Sequence, residues 1–129
     1  MATLTGLRVL NYAAGDTWRF DRSYGNIPLG VSMSKVYFTV KSSPIDADPG
    51  VIQVSITSSP GVSGQITKTD SSPDGIITFN LIVNSASTSP LNIEKGYYYD
   101  FQGIGSDTKI YTFETGLVRP VPQITLAIS

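Results

Sequence analysis

Ser34-Lys35-Val36-Tyr37-Phe38-Thr39-Val40-Lys41 alternates from end to end. Val36, Phe38 and Val40 fall on one side, and Lys35, Tyr37, Thr39 and Lys41 on the other. A β-strand throws successive side chains to opposite faces, so this stretch predicts a strand with one face in a core. The same rhythm returns on both sides of it. Val51 to Thr57 repeats it with Ile52, Val54 and Ile56, and Ile76 to Val83 with Ile77, Phe79, Leu81 and Val83. Gly96 to Gln102 places Tyr97, Tyr99 and Phe101 on one face and Tyr98, Asp100 and Gln102 on the other. Asp16 to Asp21 sets Trp18 and Phe20 against Arg19.

The weaker segments fill in around these. Gly6 to Asn11 reads as a short first strand in which Leu7 and Val9 alternate with Arg8. Arg22 to Ser34 reads as a loop, with Leu29 and Val31 packing down. Ser42 to Gly50 and Ser58 to Gly64 carry the Pro and Gly of turns. Gln65 to Thr69 is a short strand, and Asp74-Gly75 supplies the positive φ angles of a tight hairpin. Asn84 to Gly96 is irregular, anchored by Leu91 and Ile93. Gly103 to Asp107 reads as a Gly-rich turn between strands. Thr108 to Glu114 and Leu117 to Ile128 complete the pattern, with Pro120 and Pro122 marking an edge or an arm. No segment carries a helical period. Eight or nine short strands predict an all-β chain folded as one antiparallel β-sandwich over residues 1–129.

Composition narrows the chemistry. The 129 residues contain no His and no Cys. Ser-His-Asp and Cys-His catalysis are therefore out of reach, as is a zinc site of Cys and His. Charged residues make up 15%, against about 25% in typical soluble proteins. Net charge is −1, and the nine Lys and Arg are scattered. Nucleic-acid binding wants a basic stripe, so none is expected. There is no run of about 18 apolar residues for a membrane helix. Met1 to Thr5 lacks the basic start and apolar stretch of a secretory signal, so synthesis in the cytoplasm without export is expected.

Several residues invite a sharper reading. Asp46 and Asp48 could lend oxygens to calcium, but beside Pro49-Gly50 a turn outweighs that. Most of the ten acids sit in turns, Asp70, Asp74 and Asp107 like Asp46 and Asp48, and turn Asp residues usually bond nearby backbone. Gly103-Ile104-Gly105 opens no helix, so it is no phosphate cradle. No cofactor or metal is expected. Tyr98 and Tyr37 face away from the core side of their strands, where each could enter an interface or lie flat on its own sheet. Ile124, Leu126 and Ile128 alternate to Ser129. They form either an ordinary final strand or an arm added to a neighbouring subunit.

The order of motifs resembles a group of tailed-phage virion proteins whose β-sandwich is like the N-terminal domain of baseplate upper proteins. Gly15-Asp16-Thr17-Trp18 leads into Phe20, and Gly25-Asn26-Ile27-Pro28-Leu29 precedes Phe38-Thr39-Val40. Gly75-Ile76-Ile77-Thr78-Phe79-Asn80-Leu81 follows a turn. Gly96-Tyr97-Tyr98-Tyr99-Asp100-Phe101-Gln102 and Tyr111-Thr112-Phe113-Glu114-Thr115-Gly116 then lead to Ile124-Thr125. After Pro28 the chain departs from the family, with Leu29-Gly30-Val31-Ser32 where an Asp-Leu-Thr-Gly segment is usual.

The resemblance implies an immunoglobulin-like or baseplate-upper-protein-like sandwich with structural, non-enzymatic work in a virion and no catalytic residue. Its expected partners are further copies of itself, as a homo-oligomer, and other virion proteins. Its expected place is the tail, baseplate or fibre-attachment region, or the capsid surface as a decoration or cement protein. Tyr37, Tyr98, Ile124, Leu126 and Ile128 are the candidate interaction residues. Two readings from other classes stand beside it. One is a carbohydrate- or receptor-binding module using exposed Tyr or Trp, and the other is a glycosidase working with two carboxylates.

Overall fold

A computed structural model describes residues 8–28, 30–43, 45–46, 50–56, 64–69 and 75–122. Its strands are β1 (Arg8–Leu10), β2 (Trp18–Tyr24), β3 (Met33–Lys41), β4 (Ile52–Ser55), β5 (Gly64–Thr69), β6 (Ile77–Val83), β7 (Tyr97–Gly105) and β8 (Ile110–Val118). One short helix, α1 (Ser85–Thr88), interrupts them. The strands form a five-stranded sheet in the order β1-β8-β7-β3-β4 and a three-stranded sheet in the order β2-β6-β5. The chain is a β-sandwich.

The alternation in β3 explains how the layers close. Val36, Phe38 and Val40 are fully buried, and β7 beside them buries Tyr97, Tyr99 and Phe101. The opposing sheet contributes Ile77, Phe79, Leu81 and Val83 from β6 and Trp18 and Phe20 from β2. Rings meet across the gap: Phe79 lies 4.9 Å from Phe101, and Phe20 meets Phe38 edge-on at 5.5 Å. Burying each such side chain is worth about 1.5–3 kcal/mol, and edge-to-face or tilted ring pairs add specificity. At one margin Ile56 bridges Ile66, so the chain leaving β4 ties the two sheets together.

Among the described strands, every paired ladder is antiparallel except that of β1 with β8. β1 runs parallel to β8, with Arg8 opposite Gly116 and Leu10 opposite Val118. The ladder continues past both strands: Arg119 and Val121 donate to the carbonyls of Leu10 and Tyr12, and Ala14 donates to that of Val121. A parallel strand bonds one neighbour through alternate residues. Pro120 and Pro122 occupy the positions between, where no N–H is wanted. The two prolines therefore follow an edge pairing, as their spacing predicted.

Other expectations need correction. In β1 Leu10 is buried and Val9 is 44% exposed, since Leu10 lies opposite the buried Val118 and Val9 opposite Leu117. Residues 22–24 belong to β2 and Met33 opens β3. β7 runs on through Gly103-Ile104-Gly105, and the turn lies at 106–109. β8 passes through Thr115-Gly116 as one strand. Of the anchors in 84–96, Leu91 is buried but Ile93 is half exposed. The helix is held by Thr88, whose hydroxyl donates to the Asp16 carbonyl and accepts from the Gly15 N–H. β5 and β6 pair antiparallel up to Thr69 opposite Thr78, and Gly75 has φ +75°, while Asp74 and the turn before it lie outside the described residues. Leu7, Leu29, Asp48, Asp70 and Asp74 lie outside the described residues.

Candidate functional site

The outer face of the five-stranded sheet gathers the candidate residues. Register sorts that face into rows across the strands. Lys41 of β3 pairs with Tyr98 of β7, Tyr98 with Leu117 of β8, and Leu117 with Val9 of β1. Tyr98 and Val9 are each 44% exposed and Leu117 is half-buried. Three apolar side chains thus form a band reaching the edge strand. At the other end of the face Ile104 pairs with Ile110, which is 69% exposed.

The middle of the face is polar. Tyr37 pairs with Ser55 and Gln102, and Thr39 with Gln53 and Asp100. Tyr37 is half-buried, while Thr39 is only 5% exposed because the longer side chains around it stand above its methyl and hydroxyl. The result is a hollow of about 410 Å³ lined by Tyr37, Thr39, Lys41, Gln53, Asp100 and Gln102. Gln53 Nε2 donates to Thr39 Oγ1 across 3.2 Å, and Gln102 Nε2 to Thr112 Oγ1 across 3.1 Å. Tyr37 and Tyr98 therefore share one face but belong to different features of it. Ile124, Leu126 and Ile128 lie outside the described residues.

The remaining candidates resolve locally. Asp46 Oδ2 accepts from the Ser43 N–H, closing a turn. Asp107 accepts from the Lys109 N–H and the Tyr111 hydroxyl. The Tyr111 hydroxyl bond holds the Asp107 carboxyl below its ordinary range. Trp18 is 1% exposed and its Nε1–H donates to the Ala13 carbonyl, so it is no sugar platform. Among the described residues, no three His, Cys, Asp or Glu side chains gather as a metal site. No described helix is long and apolar enough to cross a membrane.

One polar cluster escaped the sequence reading. Glu114 of β8 turns between the sheets and its side chain is 7% exposed. Arg22 Nε reaches its Oε1 at 3.0 Å, the Tyr24 hydroxyl donates to Oε1 at 2.8 Å, and the Tyr99 hydroxyl donates to Oε2 at 2.5 Å. The Arg22 guanidinium also lies 4.9 Å over the Phe20 ring. Burial first, then the bond to Glu114, raises the Tyr24 hydroxyl far above its ordinary pKa. The carboxylate is matched by a cation and hydroxyl donors, as an enclosed charge requires. The signal was a slip in phase: Tyr111 and Phe113 occupy odd positions, Gly116 and Val118 even ones.

Neither the family models nor the curated proteins compared with this chain give a match.

Proposed function

We propose that this protein is a non-enzymatic structural component of a phage virion that assembles through protein–protein contacts. It works in the tail, baseplate or fibre-attachment region, or on the capsid surface as a decoration or cement protein. The observation that carries the reading is the Val9–Leu117–Tyr98 band, which ends on the short parallel edge strand β1. Adjoining apolar side chains left at an edge favour burial against a neighbour. Tyr gives a contact both area and a hydrogen-bonding tip.

The band is the centre of a contact and not the whole of it, since stable interfaces bury at least about 1,000 Å² in total. Low charge on the chain leaves little repulsion between copies. The resemblance in motif order supplies the virion setting. Glu114, enclosed by a cation and tyrosine hydroxyls, does not offer the pair of carboxylates flanking a cleft that glycosidases use.

The test is mass spectrometry of purified virions from the phage that encodes the chain, separated into heads and tails. High copy in heads is the result expected of a decoration protein. Low copy in tails is that expected of a baseplate or fibre-attachment part. Absence from the particle overturns the proposal.

A further inference from the structure

We infer that the hollow over Thr39 binds a neutral oligosaccharide. This goes beyond assembly and does not rest on it, because the hollow and the Val9–Leu117–Tyr98 band are separate parts of one face.

Side-chain length shapes the hollow. Thr39 is the short residue at the centre of a cross. Tyr37 and Lys41 flank it along β3, and Gln53 and Asp100 flank it across the neighbouring strands. Residues two apart on a strand stand about 7 Å from each other, and neighbouring strands lie about 4.8 Å apart. The cross is therefore about 13 Å long and about 10 Å wide, the footprint of a short sugar chain. Its volume of about 410 Å³ falls within the roughly 300–1,000 Å³ common for ligand sites, and it opens to solvent as a shallow groove.

The chemistry of the lining selects the occupant. Tyr37 offers part of a ring, whose electron-rich face attracts the C–H groups of a pyranose. Gln53 and Gln102 each carry both amide donors and a carbonyl acceptor, which suits hydroxyls that donate and accept. Lys41 and Asp100 carry opposite charges, so the lining has no net charge to recruit an anion or a cation. An apolar peptide would find one ring and five polar side chains, and would take water from those polar groups while offering them few polar groups of its own. A neutral polyhydroxylated ligand satisfies both the ring and the polar groups.

The test titrates cellohexaose, mannohexaose, maltohexaose and chitohexaose separately into the isotopically labelled full chain and follows backbone amide shifts. The expected result is that at least one sugar moves the amides of Tyr37, Thr39, Gln53, Asp100 and Gln102. Gln102→Ala and Tyr37→Ala should each weaken that sugar by at least about tenfold with an unchanged melting temperature. Thr39→Tyr, which fills the hollow, should abolish binding. If Thr39→Tyr fails to fold, Gln102→Ala decides alone. The inference is overturned if none of the four sugars moves these amides, if the shifts map elsewhere, or if the variants bind as tightly as the parent. A heparin-derived hexasaccharide preferred over all four would equally overturn the neutral assignment.

Discussion

Phe113 and Glu114 are neighbours in the chain, yet both turn into the space between the sheets. The register shows how: Phe101 pairs with Glu114 and Gln102 with Thr112, so Phe113 is the extra residue of a bulge. A bulge sets two residues against one and slips the phase of the strand. Tyr24 receives both of them. Its ring stacks on Phe113 at 5.1 Å and its hydroxyl donates to Glu114.

Removing the carboxylate should strand a cation. Glu114→Ala leaves Arg22, whose side chain is 15% exposed, without its partner. Breaking a buried pair costs about 3–5 kcal/mol, and the lower end is expected here because Arg22 keeps some contact with water. The double replacement Arg22→Met with Glu114→Leu should be less damaging than Glu114→Ala alone. Urea denaturation of the three proteins measures this. Equal losses in single and double variants would show that the pair is not coupled.

Stability should fall at alkaline pH. The Tyr24 hydroxyl has an ordinary pKa of 10.0 and is raised in the folded chain, chiefly by burial and then by Glu114. Above pH 10 the unfolded chain loses this proton while the folded chain keeps it. The unfolded state then binds fewer protons, so stability decreases as pH rises. The contribution is complete below pH 10 and shrinks above it. Tyr24→Phe should be less stable at neutral pH, by about 1.5–3 kcal/mol for a hydrogen bond to a charged group, yet flatter between pH 9 and 11. Parallel slopes for the two proteins would assign the alkaline loss to other tyrosines.

Gly103 faces the core from the middle of β7. A Cβ there would lie 2.9 Å from Met33 Sδ and 3.0 Å from Phe113 Cε2. The thioether can swing aside, but the Phe113 ring is held against Tyr24 and Phe79. Gly103→Ala should therefore cost about 1–3 kcal/mol, as overpacking generally does. Adding Phe113→Leu should restore part of that loss. Thermal denaturation of the single and double variants decides, and no recovery in the double would place the strain elsewhere.

The apolar band should matter to assembly more than to folding. Leu117→Glu and Tyr98→Glu place charges on an outer face, where substitutions usually shift stability by no more than about 0.5 kcal/mol. Each should lower the amount of the protein recovered on purified particles, while Asn80→Glu on the outer face of the other sheet should not. Quantitative immunoblotting of particles made with each variant measures this. Undiminished incorporation of Leu117→Glu would remove the band from the contact.

The layers were legible where alternation was unbroken. Val36, Phe38 and Val40 could be assigned to the core from sequence because nothing competes with the two-residue period there. Tyr98 could be assigned outward for the same reason. Glu114 could not, since the bulge is a property of the β7–β8 pair and leaves only a phase slip in β8. Gly103 and Gly105 looked like a turn because glycine is the usual turn residue. Here they make room for Phe113 and Tyr111. The side taken by Val9 is not legible, because a three-residue strand has too little sequence to show its phase and its partner Leu117 lies more than a hundred residues away. The hollow over Thr39 needs three strands in register, which no single segment reveals.

The parallel seam has a mechanical consequence. Arg8 and Val121 lie at opposite ends of it, since Arg8 faces Gly116 and Ala13 bridges Val121. A pull applied at those two points draws β1 and β8 along each other in shear. The bonds from Arg119, Val121 and Ala14 then bear the force together. An antiparallel seam gripped at neighbouring chain ends would peel open one bond after another. A seam closed in this way resists tension applied between those two points.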